Sequence, residues 1–312
     1  MDVTGTNLII GGNGALGREL AKQLLAAGKP VMIASRSGTT GIPRALAAMC
    51  DASDPRQIRK LAAAAQTCFV TVGVDYTKFA QLWPPLIDGL IEGLTDTGVP
   101  LIFADNLYMY GPQQSALRED LPLADYGVKP RIRAFVAGRL ESAWREGRIL
   151  MAMVRASDFY GPGADQHGLI DGFIIQPALE GKPARVMCSL NQPHTFTYLP
   201  DYARALISVA EEESAWGEAW HVPNAPPLTL GELISQIEDL TRQKITVQVA
   251  RSWLITAAGM FNPVMREMKE MQFQWNAPYL VDHSRFAAKF WDNFTPLDEG
   301  LQASIDWARR KQ

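Results

Sequence analysis

Thr6-Asn7-Leu8-Ile9-Ile10-Gly11-Gly12-Asn13-Gly14-Ala15-Leu16-Gly17 is the stretch from which the rest of the chain can be read. A short apolar run, Leu8 to Ile10, stops at glycines. An amphipathic pattern then begins at Ala15 and continues through Leu16, Leu20, Leu24 and Leu25. Strand, glycine turn, helix is the order that a dinucleotide site needs. Gly11 lets the chain turn off the strand, Gly14 leaves the backbone open to a pyrophosphate, and Gly17 lets the helix pack closely on the sheet. Free N–H groups at the helix start would face the phosphates. The glycines fall at i, i+3 and i+6 rather than in the G-x-G-x-x-G spacing, and three glycines also make a plain surface turn. Their position between a strand-like and a helix-like segment favours the dinucleotide reading.

Working outward, Val31–Ala34 reads as a second strand, Ala45–Met49 as a third, Cys68–Val72 as a fourth, Val99–Ala104 as a fifth and Leu150–Val154 as a sixth. Between them lie helical segments: one opened by Asp54 and Pro55 as N-cap and first helical residue, a long one following Trp83-Pro84-Pro85, and one over residues 131–147. Strands that alternate with helices predict an α/β fold, a Rossmann-like doubly wound parallel sheet with right-handed crossovers. Past Arg155 glycine and proline become frequent and the strand candidates shorten (Arg185–Cys188, Phe196–Leu199, Ala219–Val222, Ile245–Val249). The expected organisation is a dinucleotide-binding domain over 1–160, with later segments returning to it, and a smaller α/β substrate lobe over 161–312, with a cleft between them.

The 312 residues are 47% hydrophobic and 20% charged, with a formal net charge of −3. That composition suits a globular chain and carries no basic field for nucleic acid or an anionic membrane. No apolar run approaches the length of a membrane helix, and Asp2 sits where a signal peptide would be positive, so the expected location is cytoplasmic. Cys50, Cys68 and Cys188 are odd in number and scattered. His167, His194, His221 and His283 are dispersed too, which predicts neither disulfides nor a metal site.

The end of the second strand commonly selects the nicotinamide cofactor: an acid there holds the ribose hydroxyls of NAD, whereas arginine accommodates the extra phosphate of NADP. Here the residues are Ser35-Arg36, with no acid nearby. A guanidinium fork and a hydroxyl suit phosphate and point to NADP(H), with NAD as the alternative. Asp51, ending the third strand, would meet the adenine amino group or serve as a turn residue. Val72 and Gly73 would lie under the ribose–nicotinamide side. The cofactor set is therefore Gly11, Asn13, Gly14, Ala15, Leu16, Gly17, Ser35, Arg36, Asp51, Val72 and Gly73, together with Arg155.

Several segments in order resemble the extended short-chain dehydrogenase/reductase superfamily, in particular its NAD-dependent epimerase/dehydratase-like members. The glycine stretch is similar to that family's motif. Leu107-Tyr108-Met109-Tyr110-Gly111 resembles its Val-Tyr-Gly motif, and Arg155-Ala156-Ser157-Asp158-Phe159-Tyr160-Gly161-Pro162-Gly163 its Arg-Pro-…-Tyr-Gly-Pro-Gly segment. The stretches Thr195–Ala203 and Gly217–Leu233 resemble the strand–helix pairs that follow. The resemblance implies a tyrosine with lysine four residues later, helped by Ser or Thr after the fifth strand. No tyrosine here has lysine at that distance; Tyr126 has Pro130. Asn106, preceded by Asp105, takes the Ser/Thr place. Lys129, Arg131 and Arg133 lie where Tyr and Lys are expected. The candidate catalytic residues are Asn106 as carbonyl-orienting donor, and Tyr126 and Lys129 as proton donors; Tyr108 and Tyr110 are proton-donor candidates too, or pack under the cofactor.

The expected function is an atypical NADP(H)-dependent oxidoreductase acting on a small carbonyl or alcohol. Two alternatives stand beside it: a nucleotide-sugar epimerase or dehydratase with bound NAD, and a non-catalytic NADP(H)-sensing protein. The resemblance also implies a homodimer. Trp253, Met260, Phe261, Met265, Met268, Met271, Phe273 and Trp275 form an apolar stripe expected to be core, a dimer face or a lid over the cleft. Arg155, His194, Arg251 and Arg266 are scattered cations that would meet an anionic substrate or pair at the surface.

Overall fold

A computed structural model describes residues 5–164, 168–250, 260 and 262–311. Trp253, Phe261, Arg251 and His167 lie outside the described residues. The chain divides into two compact units, one formed by residues 5–109, 123–156 and 202–222, the other by 110–122, 157–201 and 223–311.

The first unit is built on a seven-stranded parallel sheet. Its strands are β1 (Thr6–Ile10), β2 (Val31–Ser35), β3 (Leu46–Met49), β4 (Ala65–Val70), β5 (Leu101–Asp105), β6 (Met151–Arg155) and, later in the chain, Ala219–His221. Every residue of β1 is buried. That is the signature of a central strand covered on both faces, which needs apolar side chains in both directions. β1 pairs with β2 on one side and β4 on the other, and the sheet order is Ala219–His221, β6, β5, β4, β1, β2, β3. The chain winds outward to β3 and then returns across β1 to start β4. This reversal opens a crevice above the carboxyl ends of β1 and β4.

Helices α1 (Ala15–Ala26), α2 (Pro55–Ala62), α3 (Phe79–Leu94) and α4 (Lys129–Arg145) connect the strands. Asp54 caps α2 by accepting from the Arg56 N–H, with Pro55 at the first position. The sequence places the start of α3 after the prolines, but the helix begins at Phe79 and contains Pro84 and Pro85. Burial overrides the prolines: Phe79, Trp83, Leu86, Ile87, Leu90 and Leu94 all enter the core. Each such side chain contributes about 2 kcal/mol on burial, against the roughly 3 kcal/mol that a proline costs inside a helix. The fifth and sixth strands run one residue past their expected ends, so Asp105 and Arg155 are strand residues, paired in register. The strand expected at Ala219–Val222 joins β6 in this sheet, with His221 opposite Arg155.

The second unit holds short paired strands: Thr197–Tyr198 parallel to Phe159–Tyr160, Val247–Val249 parallel to Ala184–Val186, and Leu228–Thr229 antiparallel to Pro193–His194. Its helix Leu230–Thr241 starts in a full capping box, Thr229 with Glu232. Its core gathers Ile174, Leu233, Ile237, Leu301 and Ile305. Of the apolar stripe, Met271 is buried, Met265 and Met268 are half-buried, and Met260 is exposed.

Candidate functional site

The glycine turn is shaped by steric necessity. Gly11 has φ +85°, and a Cβ there would come within 2.9 Å of the Val72 backbone. A Cβ on Gly17 would lie 2.4 Å from the Gly12 Cα, so α1 can approach the turn only without one. Gly14 is different: its missing Cβ meets nothing closer than the Gly11 carbonyl at 3.5 Å, and the surface there is open. No side chain caps the start of α1. Uncapped N–H groups beside a bare glycine form an anion cradle. Asn13 supports the turn by donating from Nδ2 to the Thr39 carbonyl (2.9 Å), while its Oδ1 is buried without a partner. An orphaned acceptor is costly unless a ligand donates to it. The bare cradle and this orphan fit a dinucleotide.

At the end of β2, Ser35 Oγ lies 3.2 Å from Ser37 Oγ, which in turn lies 2.9 Å from Thr39 Oγ1. Arg36 is exposed beside them. The Asp51 carboxylate accepts from the N–H and hydroxyl of Ser53 at 2.9 and 2.7 Å. Those bonds, with smaller help from Arg36, hold its carboxyl below the usual range. The turn role of Asp51 is thus present in the structure. Val72 is half-buried against Gly11, and Gly73 is exposed with open space around it.

The carboxyl end of β5 carries a buried ionic cluster. Asp105 pairs through Oδ1 with Arg133 and through Oδ2 with Arg155 Nε (3.3 Å), and Oδ1 also accepts the Asn106 N–H at 2.8 Å. All three charged side chains are buried. Arg133 lies over the Trp83 ring at 4.2 Å. The Tyr202 hydroxyl donates to the carbonyls of Asp105 (2.8 Å) and Val154 (2.9 Å). Burial, then the Asp105 charge, pushes that phenol well above its ordinary value. One carboxylate is thus shared by two guanidinium groups at this strand end.

Around the cluster the sequence-predicted residues separate. Asn106 is half-buried; its Oδ1 accepts the Tyr108 N–H (3.1 Å) and its amide nitrogen makes no hydrogen bond among the described residues. Lys129 is wholly buried at the first position of α4, with Nζ 5.5 Å from the centre of the Tyr76 ring. Tyr126 precedes the helix and is 40% exposed, so Tyr126 and Lys129 do not share a helical face. Arg131 pairs with Asp125 at the surface (2.5 Å). The Tyr108 hydroxyl lies 2.7 Å from that of Tyr76, a residue the sequence reading passed over. Tyr110 is wholly buried. Arg155 is spent on Asp105, with its side chain 2% exposed.

In the second unit His194 is buried, stacked on Tyr279 at 5.1 Å. Its Nε2 faces Asp158 Oδ2 at 3.2 Å and Ser157 Oγ at 3.4 Å, and its Nδ1 faces the Gln274 carbonyl at 3.2 Å. A serine–histidine–aspartate relay needs the serine and the acid on opposite ring nitrogens. Here both share one nitrogen, so the group is an anchor. Burial pushes the Asp158 carboxyl up, but bonds from His194 and Trp275 more than offset it and leave it below the usual range. Arg266 is an exposed side chain next to Glu267. Cys50, Cys68 and Cys188 are buried free thiols. Among the described residues no cluster of metal-ligating side chains occurs and no helix is long and apolar enough to cross a membrane.

Comparison with known proteins gives a consistent set. The model of the NAD dependent epimerase/dehydratase family matches residues 7–222. A Bacillus subtilis protein described as an uncharacterized UDP-glucose epimerase, YtcB, is 24% identical over 150 residues, 47% of this chain and 46% of that protein. The chain thus matches about half the length of this curated relative. Among solved structures, UDP-glucose 4-epimerase of Thermotoga maritima with UDP-glucose superposes with a TM-score of 0.81 at 15% identity, covering 98% of this chain and 99% of that one. MoeE5 with UDP-glucuronic acid and NAD superposes with a TM-score of 0.81 at 18% identity, covering 99% and 100%. dTDP-glucose 4,6-dehydratase of Bacillus anthracis with NAD gives a TM-score of 0.80 at 15% identity, covering 99% and 98%.

Proposed function

The chain belongs to the NAD dependent epimerase/dehydratase family, and from that premise we propose that it is an enzyme holding a nicotinamide dinucleotide at the Gly11–Gly17 turn and acting on a nucleotide sugar. The observation carrying this reading is the family match over 7–222, which takes in all seven strands of the sheet. The substrates named with similar proteins, UDP-glucose, UDP-glucuronic acid and dTDP-glucose, support the substrate class. The small carbonyl or alcohol expected from the sequence has less behind it than this alternative.

A bound dinucleotide supplies a hydride acceptor and donor. The chain does the rest. The glycine turn and the α1 N-terminus bind pyrophosphate. The Asn106 amide nitrogen donates to a substrate oxygen. The Asp105–Arg133–Arg155 cluster, with Lys129, supplies positive charge where negative charge develops on that oxygen. Several similar structures hold NAD, yet Arg36 and the Ser35–Ser37–Thr39 hydroxyls favour the form with a 2′-phosphate. Calorimetric titration checks this. Arg36→Ala should weaken NADP⁺ binding by about tenfold and leave NAD⁺ within about twofold; equal loss for both would remove the phosphate role.

Activity is tested by incubating the purified chain with UDP-glucose, UDP-glucuronic acid and dTDP-glucose and following product by NMR. Conversion of any of them supports the reading. Tight dinucleotide binding with no conversion turns the assignment to a dinucleotide sensor, the reading favoured by the absence of lysine four residues after any tyrosine.

A further inference from the structure

Resting on the nucleotide-sugar reading, we propose that the Tyr108 hydroxyl, held by Tyr76 and backed by Lys129, is the proton-exchanging group at the carboxyl end of β5. Three observations converge. The two phenols share a 2.7 Å hydrogen bond although 32 residues separate them. The Lys129 ammonium is wholly buried and lies 5.5 Å from the Tyr76 ring centre. Tyr108 also shares a turn with Asn106, through the 3.1 Å bond from its N–H to Asn106 Oδ1. A proton donor and a carbonyl-orienting amide are thereby fixed to one another.

Their place in the topology suits that use. Tyr76 follows β4 and Tyr108 follows β5, on the side of the β1/β4 reversal away from β2. Ligands bind at the carboxyl ends of such strands. Tyr126 has the composition expected of the proton donor but is 40% exposed and lies outside α4. Two phenols in one hydrogen bond also make a relay: when one loses a proton the other can re-donate. Lys129, buried against the Tyr76 ring, helps fix the pair in place.

The step balances. A sugar carbinol loses its C–H electron pair as hydride to the oxidised nicotinamide dinucleotide, and its O–H proton passes to the Tyr108 phenolate. The alcohol becomes a ketone and the dinucleotide is reduced. Running backward, hydride returns to carbon and Tyr108 returns the proton to oxygen. Tyr76 acts as a positioning residue through its hydrogen bond.

The test uses the full chain loaded with dinucleotide. Reduction of the bound dinucleotide by UDP-glucose and by UDP-glucuronic acid is followed by absorbance from about pH 6 to 10 in wild type, Tyr108→Phe, Tyr76→Phe and Tyr126→Phe. Tyr108→Phe should slow hydride transfer by a hundredfold or more and abolish the rise of rate with pH. Tyr76→Phe should slow it by about tenfold and shift that rise. Tyr126→Phe should stay within about threefold. Dinucleotide affinity and the unfolding midpoint serve as folding controls, since all three changes keep the ring. A loss below tenfold in Tyr108→Phe, an unaltered pH profile, or a collapse in Tyr126→Phe overturns the proposal while leaving the nucleotide-sugar reading intact. A wild type that never reduces its dinucleotide with any nucleotide sugar overturns that reading, and this proposal with it.

Discussion

Two carboxylates, Asp105 in the first unit and Asp158 in the second, are each held by basic side chains and hydrogen-bond donors, yet they are built for different tasks. Asp105 is buried between two guanidinium groups that never lose charge, and its own carbonyl is gripped by Tyr202. Asp158 keeps part of its surface exposed and leans on one imidazole and one indole. The first arrangement fixes a strand end. The second fixes only a fold, joining the segment after β6 to residues 194 and 275. A carboxylate shared by two guanidinium groups locks a strand end; a carboxylate held by an imidazole and an indole makes a joint.

Breaking the first arrangement should cost most. Asp105→Asn strands two buried guanidinium groups, and the loss should be about 3–5 kcal/mol, read as a fall in the urea midpoint. A loss under about 1 kcal/mol would mean that the arginines find water or another acceptor. Asp158→Asn should cost less, about 1–3 kcal/mol at pH 7. Its pH dependence sharpens the contrast. The folded carboxyl sits below the ordinary aspartate value of about 3.9, so its contribution is full above that pH and is lost as pH falls through the folded value. The gap between wild type and Asp158→Asn should therefore close in acid; a gap that stays constant would show that the joint does not depend on charge. Smallest of the three, Tyr202→Phe removes one hydroxyl from two carbonyls and should cost about 1–2 kcal/mol, measured in the same denaturation.

The sequence made β1, the glycine turn and α1 legible because their determinants are contiguous: an apolar run, glycines without room for Cβ, and a helical repeat. The β5 end was only half legible. Asp105-Asn106 stood out as a polar pair after a buried strand, and Lys129 as a lysine out of register. Tyr76 did not, because no local pattern marks a tyrosine for a contact 32 residues on; Arg133 and Arg155 stood out singly, but not their convergence on Asp105 from a helix and a neighbouring strand. Pro84 and Pro85 misled for a related reason. They report local cost, whereas Trp83 and Leu86 beside them report burial, and a single stretch cannot weigh the two. Ala219–His221 carries too few residues to announce that it belongs to a sheet begun more than two hundred positions earlier.

That late strand has a consequence for how the molecule comes into being. β6 is buried along its whole length, and among the described residues its flank away from β5 pairs with Ala219–His221. On the ribosome, and in any fragment stopping before residue 219, this flank is an unpaired apolar edge, the kind that recruits a strand from another chain. The sheet therefore spends the synthesis of more than sixty residues open to the wrong partner. Its closure ends the exposure of that edge.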